Sequence, residues 1–381
     1  MSPGNVLLIQ SDQHRFDCLG VNGHPLLKTP NLDRMARGGM NFTNAFCPIP
    51  LCMPARASML TGQWPTEHLQ IANFDAEAPR GFRDDLPVFS NMLAEAGYRL
   101  GYVGKWHGHP DRPPEDFAFE DYVPPWKYGQ WREQQGLPPV PRENGWMGEA
   151  DPYITPEQSS LAWQADRVLE RLEACAADDG PFFLRWDPPQ PHLPNRPPEP
   201  YASMYDPERI EPWGSFGDEF TGKPYAQAQQ LRTWAIAGWT WEQWAPIVAR
   251  YLGEVSLLDA QVGRVLTAVD ELGLAEDTLV VYTADHGDMC GSHGMIDKHF
   301  IMYDDVVRVP MIARWPGRVP AGARCDAFVS NAIDLAATFL DVAALDPPDT
   351  FRGQSLLPML SGEGDSNGRR DIFSTYHGNQ F

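Results

Sequence analysis

One stretch of the sequence places a cysteine at the start of a predicted helix. It reads Pro50-Leu51-Cys52-Met53-Pro54-Ala55-Arg56-Ala57-Ser58-Met59-Leu60-Thr61-Gly62. Pro54 suits a first helical turn, where a missing N–H costs nothing, and Gly62 suits the position after the last turn. Cys52 is therefore predicted to lie at a helix N-terminus, where free N–H groups and the helix dipole favour a bound anion. Arg56, one turn further along the same face, adds a fixed positive charge.

Other polar residues that could do chemistry follow predicted strands. The short apolar runs at 6–10, 98–104, 181–186 and 278–283 are each followed by such residues, namely Asp12 and Gln13, Lys105 and His107, His192, and Asp285 and His286. In open α/β sheets the site lies outside the carboxyl ends of the strands, so we expect these side chains to converge. The first and last pairs offer oxygen ligands and an imidazole, which suit Ca²⁺, Mg²⁺ or Mn²⁺ better than Zn²⁺. Taken alone, each pair is more typical of a turn or a helix cap than of a metal site.

The elements that must position these residues alternate along the chain. Helical spacing predicts helices over 30–36, 86–96, 157–177, 247–272 and 333–345, and a further strand is predicted over 310–315. This alternation indicates an α/β fold with a doubly wound, mostly parallel sheet flanked by helices. Residues 110–156 and 194–245 are rich in proline and tryptophan and lack periodicity, which predicts long loop excursions. Their tryptophans either pack these loops onto the domain or form a wall of the substrate pocket.

Composition excludes several classes of protein. The chain has 381 residues and a net charge of 30 − 51 = −21, which argues against non-specific binding to nucleic acid or to an anionic membrane. An anionic substrate must therefore be attracted by local positive groups. The six cysteines show no disulfide-scaffold spacing, and no second pair completes a zinc site with Cys47 and Cys52. No secretory leader and no apolar run of about 18 residues is visible, so we expect a cytoplasmic protein that does not span a membrane.

The cysteine motif carries a family resemblance. Cys-x-Pro-x-Arg at residues 52–56, followed by Leu-Thr-Gly at 60–62, resembles the signature of the type I sulfatases, in which the cysteine is oxidised to formylglycine. The resemblance runs from residue 5 to about 360 and is strongest over 5–62, 97–107 and 278–317. It implies an alkaline phosphatase-like catalytic domain at 1–360, with the loop excursions near 110–156 and 194–245. Residues 361–381 would then begin a small antiparallel-sheet C-terminal domain that is largely absent. Two interpretations follow from this. The chain is a fragment, or it is a short protein in which another copy in a homo-oligomer supplies part of the pocket rim.

The resemblance also implies roles for the candidate residues. It places a divalent metal, most often Ca²⁺, on Asp12, Gln13, Asp285 and His286. Many sulfatases have two consecutive aspartates where this chain has Ser11-Asp12-Gln13, so the site here is less negative. Lys105 and His107 match a Gly-Lys-x-His segment that contacts the formylglycine and the sulfate, and an extended backbone would aim both to the same side. The remaining matches are His192 and Lys298, on the leaving-group side of the sulfate, and Asn73, as a substrate contact.

The implied reaction is metal-assisted hydrolysis of a sulfate monoester. Formylglycine at position 52, made by a formylglycine-generating enzyme, offers two hydroxyls when hydrated. One attacks sulfur with help from Asp285, His192 or Lys298 protonates the leaving alcohol, and His107 then helps the second hydroxyl to expel sulfate. A phosphonate or phosphate ester hydrolase on the same scaffold is the nearest alternative, although relatives with that activity tend to lack the Lys105–His107 pair. An inactive, binding-only homologue is a third. The tryptophan-rich loops favour a carbohydrate sulfate as substrate.

Overall fold

A mixed sheet of eight strands forms the centre of the molecule, in a computed structural model that describes residues 4–73, 81–298, 301–362 and 369–376. The strands are β1 (Asn5–Ser11), β2 (Met40–Phe42), β3 (Ala45–Phe46), β4 (Arg99–Gly104), β5 (Asp121–Val123), β6 (Phe182–Asp187), β7 (Thr278–Ala284), β8 (Met311–Arg314), β9 (Ala323–Cys325) and β10 (Val329–Ser330). The sheet order is β5-β4-β6-β1-β7-β8-β2-β9, while β3 and β10 pair separately. Strand β8 is antiparallel to β7 and β2, and the other neighbours are parallel. The predicted mostly parallel α/β sheet is confirmed.

Helices cover both faces of this sheet. They are α1 (Pro30–Arg37), α2 (Cys52–Thr61), α3 (Pro65–His68), α4 (Phe89–Glu95), α5 (Lys127–Gln134), α6 (Ser160–Ala176), α7 (Tyr225–Thr233), α8 (Trp241–Glu271), α9 (Asp304–Val307), α10 (Ile333–Val342) and α11 (Leu357–Leu360). Helices α2 and α4 pack with α10 on one face, and α1 and α6 pack with α8 on the other. Among the residues described, no helix combines the length and apolar character needed to cross a membrane.

The apolar run of β1 is explained by burial on both faces of the sheet. Val6 and Leu8 join the core on the side of α2 and α10, whereas Leu7 and Ile9 join the core on the side of α6 and α8. Side chains alternate along a strand, so a central parallel strand needs apolar residues at successive positions. A continuous hydrophobic segment that ends abruptly in polar residues is the result, and those polar residues lie at the edge of the sheet.

The two proline- and tryptophan-rich excursions, residues 110–156 and 194–245, were predicted as loops but contain regular secondary structure. The first holds β5 and α5, and the second holds α7. Helix α8 begins at Trp241 and not at residue 247, with Pro246 inside it. A proline inside a helix removes one backbone hydrogen bond and is typical of a helix boundary in a sequence, which explains the late predicted boundary. The short strands β2, β3, β9 and β10 were not predicted because two or three residues carry no periodicity.

The C-terminal residues lie against the rest of the fold where the structure describes them. The Thr375 backbone N–H donates to the Pro48 carbonyl at 2.8 Å, and a guanidinium nitrogen of Arg369 lies 2.7 Å from Asp334 Oδ1. Residues 363–368 and 377–381 lie outside the described part of the chain. The start of a further subdomain at 361–381 therefore stays a prediction.

Candidate active site

Four strands and one helix bring the predicted residues to one edge of the sheet. Ser11 at the end of β1 pairs in register with Ala284 at the end of β7, so Asp12 and Asp285 leave neighbouring strands at the same level. Cys52 is the first residue of α2 and is 1% exposed. The carboxyl-end rule for α/β sheets thus explains the position of the two acids without any input from the family resemblance, and α2 brings Cys52 to the same edge.

Cys52 lies within a compact group of ligand-type atoms. Its Sγ is 3.1 Å from His286 Nε2 and 3.8 Å from Asp12 Oδ1. Together with Asp285, these residues present ligand atoms that all lie within 4.8 Å of one another. Two carboxylates and an imidazole in a buried cluster form a donor set that could hold a divalent cation.

Arg56 orients the carboxylates of this group. It is fully buried, its Nε donates to Asp285 Oδ2 at 3.0 Å, and one terminal nitrogen donates to Asp12 Oδ2 at 3.2 Å. The Oδ1 atom of each carboxylate is left on the other side, 3.9 Å and 3.6 Å from His286 Nε2 for Asp12 and Asp285 respectively. Because one oxygen of each acid still faces the cysteine and the imidazole, the residues present fit a cation at this position.

Gln13 follows Asp12 but directs its side chain to other partners. Its Oε1 accepts a hydrogen bond from Lys298 Nζ at 2.7 Å, and its Nε2 donates to Asp288. Its backbone N–H donates to Asp285 Oδ1 at 3.1 Å, with a positive φ of 68°. The geometry joins Gln13 to the lysine and the acids of the site, and its role as a metal ligand remains a prediction.

Lys105 and His107 reach the site from the end of β4. Lys105 Nζ lies 2.5 Å from Asp12 Oδ2, and both residues line the cavity above Cys52. The backbone is not extended here, since His107 has a φ of 44°. Gly104 allows the turn, because a Cβ there would lie 2.1 Å from the carbonyl oxygen of Asp187. The two side chains therefore share a site through a turn and not through strand alternation.

His192 and Lys298 form a close pair across the cavity. Lys298 Nζ lies 2.7 Å from His192 Nε2, and His192 Nδ1 lies 2.6 Å from the Leu193 carbonyl oxygen. An ammonium group only donates and a carbonyl oxygen only accepts, so this pattern assigns the imidazole proton to Nδ1. Nε2 of His192 then accepts the hydrogen bond from Lys298, and the proton shared by the two groups lies on Lys298 Nζ.

The charges around the site set the pKa values of its groups. Burial alone would raise the pKa of the Cys52 thiol, but the positive charges of Lys105 and Lys298 bring it well below its usual range. Burial also opposes ionisation of Asp12, yet Lys105 and Arg56 lower the pKa of that carboxyl to about 2. Burial disfavours a charged His286, whereas Asp285 raises its pKa to about 9. The site therefore favours a negative group at position 52.

A cavity of about 730 Å³ opens above Cys52. Its inner end is lined by Cys52, Asn73, Lys105, His107, His192 and Lys298. Asn73 Oδ1 accepts from the Met53 N–H at 3.0 Å, so it is tied to the first turn of α2. The outer wall includes Tyr128, Trp146, Leu161, Trp234, Glu254 and Leu257. All predicted catalytic and substrate residues are thus brought together, with Arg56 directly behind them.

The tryptophans of the second excursion divide between the two roles considered for them. Trp234 lines the cavity, as does Trp146 of the first excursion, and their rings meet edge to face at 6.3 Å. Trp244 is fully buried against Trp239, with ring centroids 5.4 Å apart. Some tryptophans therefore form the wall of the cavity and others pack the excursion onto the domain.

Comparison with known proteins identifies the family. The family model described as Sulfatase matches residues 4–345. The chain belongs to the sulfatase family, the hydrolases of sulfuric esters. It is 30% identical to an arylsulfatase of Clostridium perfringens, over 93% of this chain and 78% of that protein. It is 25% identical to an N-acetylglucosamine-6-O-sulfatase of Bacteroides thetaiotaomicron, over 94% of this chain and 71% of that protein.

Solved structures show the same fold. A phosphonate monoester hydrolase of Agrobacterium radiobacter superposes with a TM-score of 0.79 at 27% identity, covering 97% of this chain and 79% of its own. The alkaline phosphatase-like architecture expected from the sequence is confirmed for this member of the sulfatase family. The likeness to a phosphonate hydrolase is consistent with the alternative activity considered above, the hydrolysis of phosphonate or phosphate esters.

Three residues of the sulfatase site were missed by sequence reasoning. Asp187 binds Arg56 and accepts from Tyr102 OH at 2.7 Å, and Asp288 binds Gln13. Asp187 ends β6, so the strand-end rule could have found it. Asp288 closes the string Asp-His-Gly-Asp at 285–288. Glu254 lines the cavity from within the apolar pattern of α8, where no sequence signal distinguishes it from a solvent-facing acid.

Proposed function

We propose that this sulfatase hydrolyses a sulfate monoester with a nucleophile made from Cys52. The observation that carries the proposal is the position of Cys52, at the first turn of α2, 3.1 Å from His286 and at the base of a cavity lined by two lysines. Oxidation of the thiol to an aldehyde by a formylglycine-generating enzyme, followed by addition of water, would place two hydroxyls where the sulfur now lies.

A divalent cation is the proposed cofactor. Asp12, Asp285 and His286 would hold it, with Gln13 as a further candidate, and Ca²⁺ suits the oxygen donors, with Mg²⁺ or Mn²⁺ as alternatives. When bound, it supplies positive charge beside the nucleophile and the sulfate oxygens. Arg56 keeps the two carboxylates in place, because their Oδ2 atoms are bonded to its guanidinium.

The protein side chains would carry the protons of the first step. One hydroxyl of the hydrate loses its proton to Asp285 and attacks sulfur, and the bond between sulfur and the ester oxygen breaks. Lys298 donates a proton to the departing alcohol, since it holds the proton shared with His192. The positive charges of Lys105 and Lys298 stabilise the sulfate oxygens in the transition state.

His107 would complete the cycle. Burial lowers the pKa of His107, so its imidazole is neutral and can accept a proton. It takes the proton of the second hydroxyl, the bond between carbon and the sulfate oxygen breaks, and sulfate leaves as the aldehyde re-forms. Water then hydrates the aldehyde, and no water molecule has to attack sulfur.

The test begins with the mass of the peptide that contains Cys52, from protein made together with a formylglycine-generating enzyme. We expect the mass of an aldehyde or its hydrate, together with hydrolysis of an aryl sulfate that is lost in Cys52→Ala. An unmodified thiol in protein that nevertheless hydrolyses the ester would contradict the proposed nucleophile. Modified protein without any ester hydrolysis would favour the binding-only alternative.

A phosphonate monoester hydrolase is the second candidate, because a structure with that name superposes at 27% identity. The Lys105–His107 pair at the cavity base favours the sulfate ester. A side-by-side assay with an aryl sulfate and an aryl phosphonate monoester decides between them. We expect the larger kcat/KM for the sulfate, and the reverse order would establish the second candidate.

A carbohydrate sulfate remains the proposed natural substrate. The name of the Bacteroides relative and the aromatic wall formed by Trp146 and Trp234 support it, since aromatic rings pack against the faces of sugars. A panel of sulfated sugars, compared with small alkyl and aryl sulfates, tests this proposal. It fails if only the small esters are hydrolysed.

A further inference from the structure

Glu254 is a buried acid in the wall of the substrate cavity that the proposed mechanism does not use. It lies in the middle of α8, is 5% exposed and lines the cavity together with Leu257, one turn further along the helix. Acids are rarely buried to this extent without a partner of opposite charge, because removing a carboxylate from water is costly.

The partners of Glu254 are few. Its Oε2 accepts one hydrogen bond, from the Arg196 backbone N–H at 3.2 Å. The Arg196 guanidinium is directed elsewhere, with Nε donating to Glu149 at 3.1 Å and a terminal nitrogen donating to the Gly145 carbonyl at 3.2 Å. Within the described ranges of the chain, no side chain donates a hydrogen bond to the Glu254 carboxylate.

The other acids of the cavity wall are paired. Asp151 accepts two hydrogen bonds from Arg132, and Asp297 Oδ1 lies 3.1 Å from Lys298 Nζ. An ionised carboxylate can accept up to about four hydrogen bonds, so Glu254 alone among these acids retains most of its capacity towards the cavity. Burial raises its pKa to about 7, and the backbone hydrogen bond and the charge of Arg196 offset this rise only in part.

The cavity that Glu254 lines is partly aromatic, and the two arginines in its lining, Arg132 and Arg196, are paired with Asp151 and Glu149. Tyr128, Trp146 and Trp234 line the same cavity. Burial raises the pKa of Tyr128, and the charge of Glu254 adds to that rise, which places the two groups near each other. Aromatic faces attract cations, most strongly where water is excluded. A carboxylate that shares a cavity with aromatic rings is therefore better suited to a cationic nitrogen than to a neutral hydroxyl.

We propose that Glu254 binds a cationic nitrogen carried by the alcohol part of the substrate, so that the preferred substrates are amine-bearing sulfate esters. The inference rests on the proposed sulfate ester hydrolysis and specifies its substrate. Such an ester is a zwitterion without net charge. The net charge of −21 would repel a purely anionic ester but does not repel a zwitterion at long range.

The test compares two series of esters on the modified enzyme. Aminoalkyl sulfates of increasing chain length are assayed beside alkyl sulfates of the same lengths, in the wild-type enzyme, in Glu254→Gln and in Glu149→Gln. Glu149→Gln removes the same charge from an acid that pairs with Arg196 and is absent from the cavity wall. We expect the wild-type kcat/KM to favour the best amino ester by about tenfold or more over its alkyl counterpart. Glu254→Gln should lose this ratio, and Glu149→Gln should keep it.

A second measurement on wild-type protein covers the case in which Glu254→Gln does not fold. An alkylammonium chloride should inhibit hydrolysis of the alkyl sulfate competitively, beyond the effect of sodium chloride at equal concentration. Equal kcat/KM for the two series, or a ratio that survives in folded Glu254→Gln, overturns the inference and leaves the proposed function intact. If neither series is hydrolysed while an aryl sulfate is, the inference is overturned and the proposed function stands. If the aryl sulfate is not hydrolysed either, the proposed function fails, and absence of alkylammonium binding by calorimetry then overturns the inference separately.

Discussion

At the scale of single residues, one guanidinium organises the chemistry of the site. Arg56 is fully buried and bonds to three buried carboxylates, those of Asp12, Asp187 and Asp285. Like charges packed this closely repel one another, and the arginine compensates them while leaving one oxygen of each of two acids directed towards Cys52. Its function is therefore to fix the orientation of potential ligands as well as to balance their charge.

Replacing Arg56 should destabilise the fold strongly. Arg56→Met keeps much of the volume but removes one cationic partner from each of three buried acids, and removal of one partner of a buried ion pair costs about 3–5 kcal/mol. Equilibrium unfolding in denaturant measures the loss. Arg83→Met is the control, because its pair with Asp85 is exposed, and it should leave stability unchanged within error. Equal effects of the two substitutions would show that the buried network does not stabilise the protein.

Glu254 should make stability fall as pH rises. Its pKa is about 7 in the folded protein against 4.5 in the unfolded chain, so the cost of burying its charge is absent below pH 4.5 and fully present above pH 7. Glu254→Gln removes that cost. The substitution should therefore stabilise the protein by about 3 kcal/mol more at pH 8 than at pH 4. Unfolding free energies of both proteins at the two pH values provide the test, and a pH-independent difference would contradict it.

At the scale of elements, helix α2 ends at a glycine that both its conformation and its neighbour require. Gly62 has a φ of 63°, and a Cβ there would lie 2.3 Å from the Phe351 ring. The Gly62 N–H closes the helix by donating to the Ser58 carbonyl at 2.9 Å. The opposite end of the same short helix carries Cys52, so a shift of the helix at Gly62 would also move the proposed nucleophile.

Gly62→Ala should cost more stability than the same change at Gly97. Gly97 also has a positive φ, 88°, but no atom lies within 4 Å of its Cβ position, so this control isolates the clash with Phe351. Overpacking of a tight site costs about 1–3 kcal/mol, which is the expected difference between the two variants. Thermal unfolding measures it. A Gly97→Ala variant as unstable as Gly62→Ala would mean that backbone strain alone is responsible.

The elements also show which parts of the site a sequence can reveal. Asp12 and Asp285 were predictable because a buried strand is a continuous apolar run and its end is visible. The turn at His107 was not, since nothing in the sequence marks a non-glycine residue with a φ of 44°. Glu254 was hidden as well, because the cavity that surrounds it is built from distant segments.

At the scale of the whole molecule, net charge and local charge act in opposite directions. The chain carries −21, yet the base of its cavity presents Lys105 and Lys298. The long-range field repels an anionic ester before these lysines can attract it. Long-range repulsion is screened by salt, whereas buried ion pairs are screened much less.

Salt should therefore accelerate the capture of an anionic substrate. Between about 0.01 M and 0.15 M ionic strength the Debye length falls from roughly 30 Å to 8 Å, so kcat/KM for an aryl sulfate should rise. An aminoalkyl sulfate without net charge should show little change over the same range. Initial rates at subsaturating substrate provide the measurement. A fall in kcat/KM for the aryl sulfate would show that the local lysines dominate the field.

The register between β1 and β7 has a consequence for how this scaffold can diversify. Ser11 and Ala284 are paired, so two acids are set side by side by main-chain hydrogen bonds that no surface substitution disturbs. The cavity wall comes instead from the excursions and from α8. The residues of the cavity wall can therefore change without a change in the residues at the ends of β1 and β7. Insertions and exchanges in the wall can create new specificities during evolution while the chemistry is passed on unchanged.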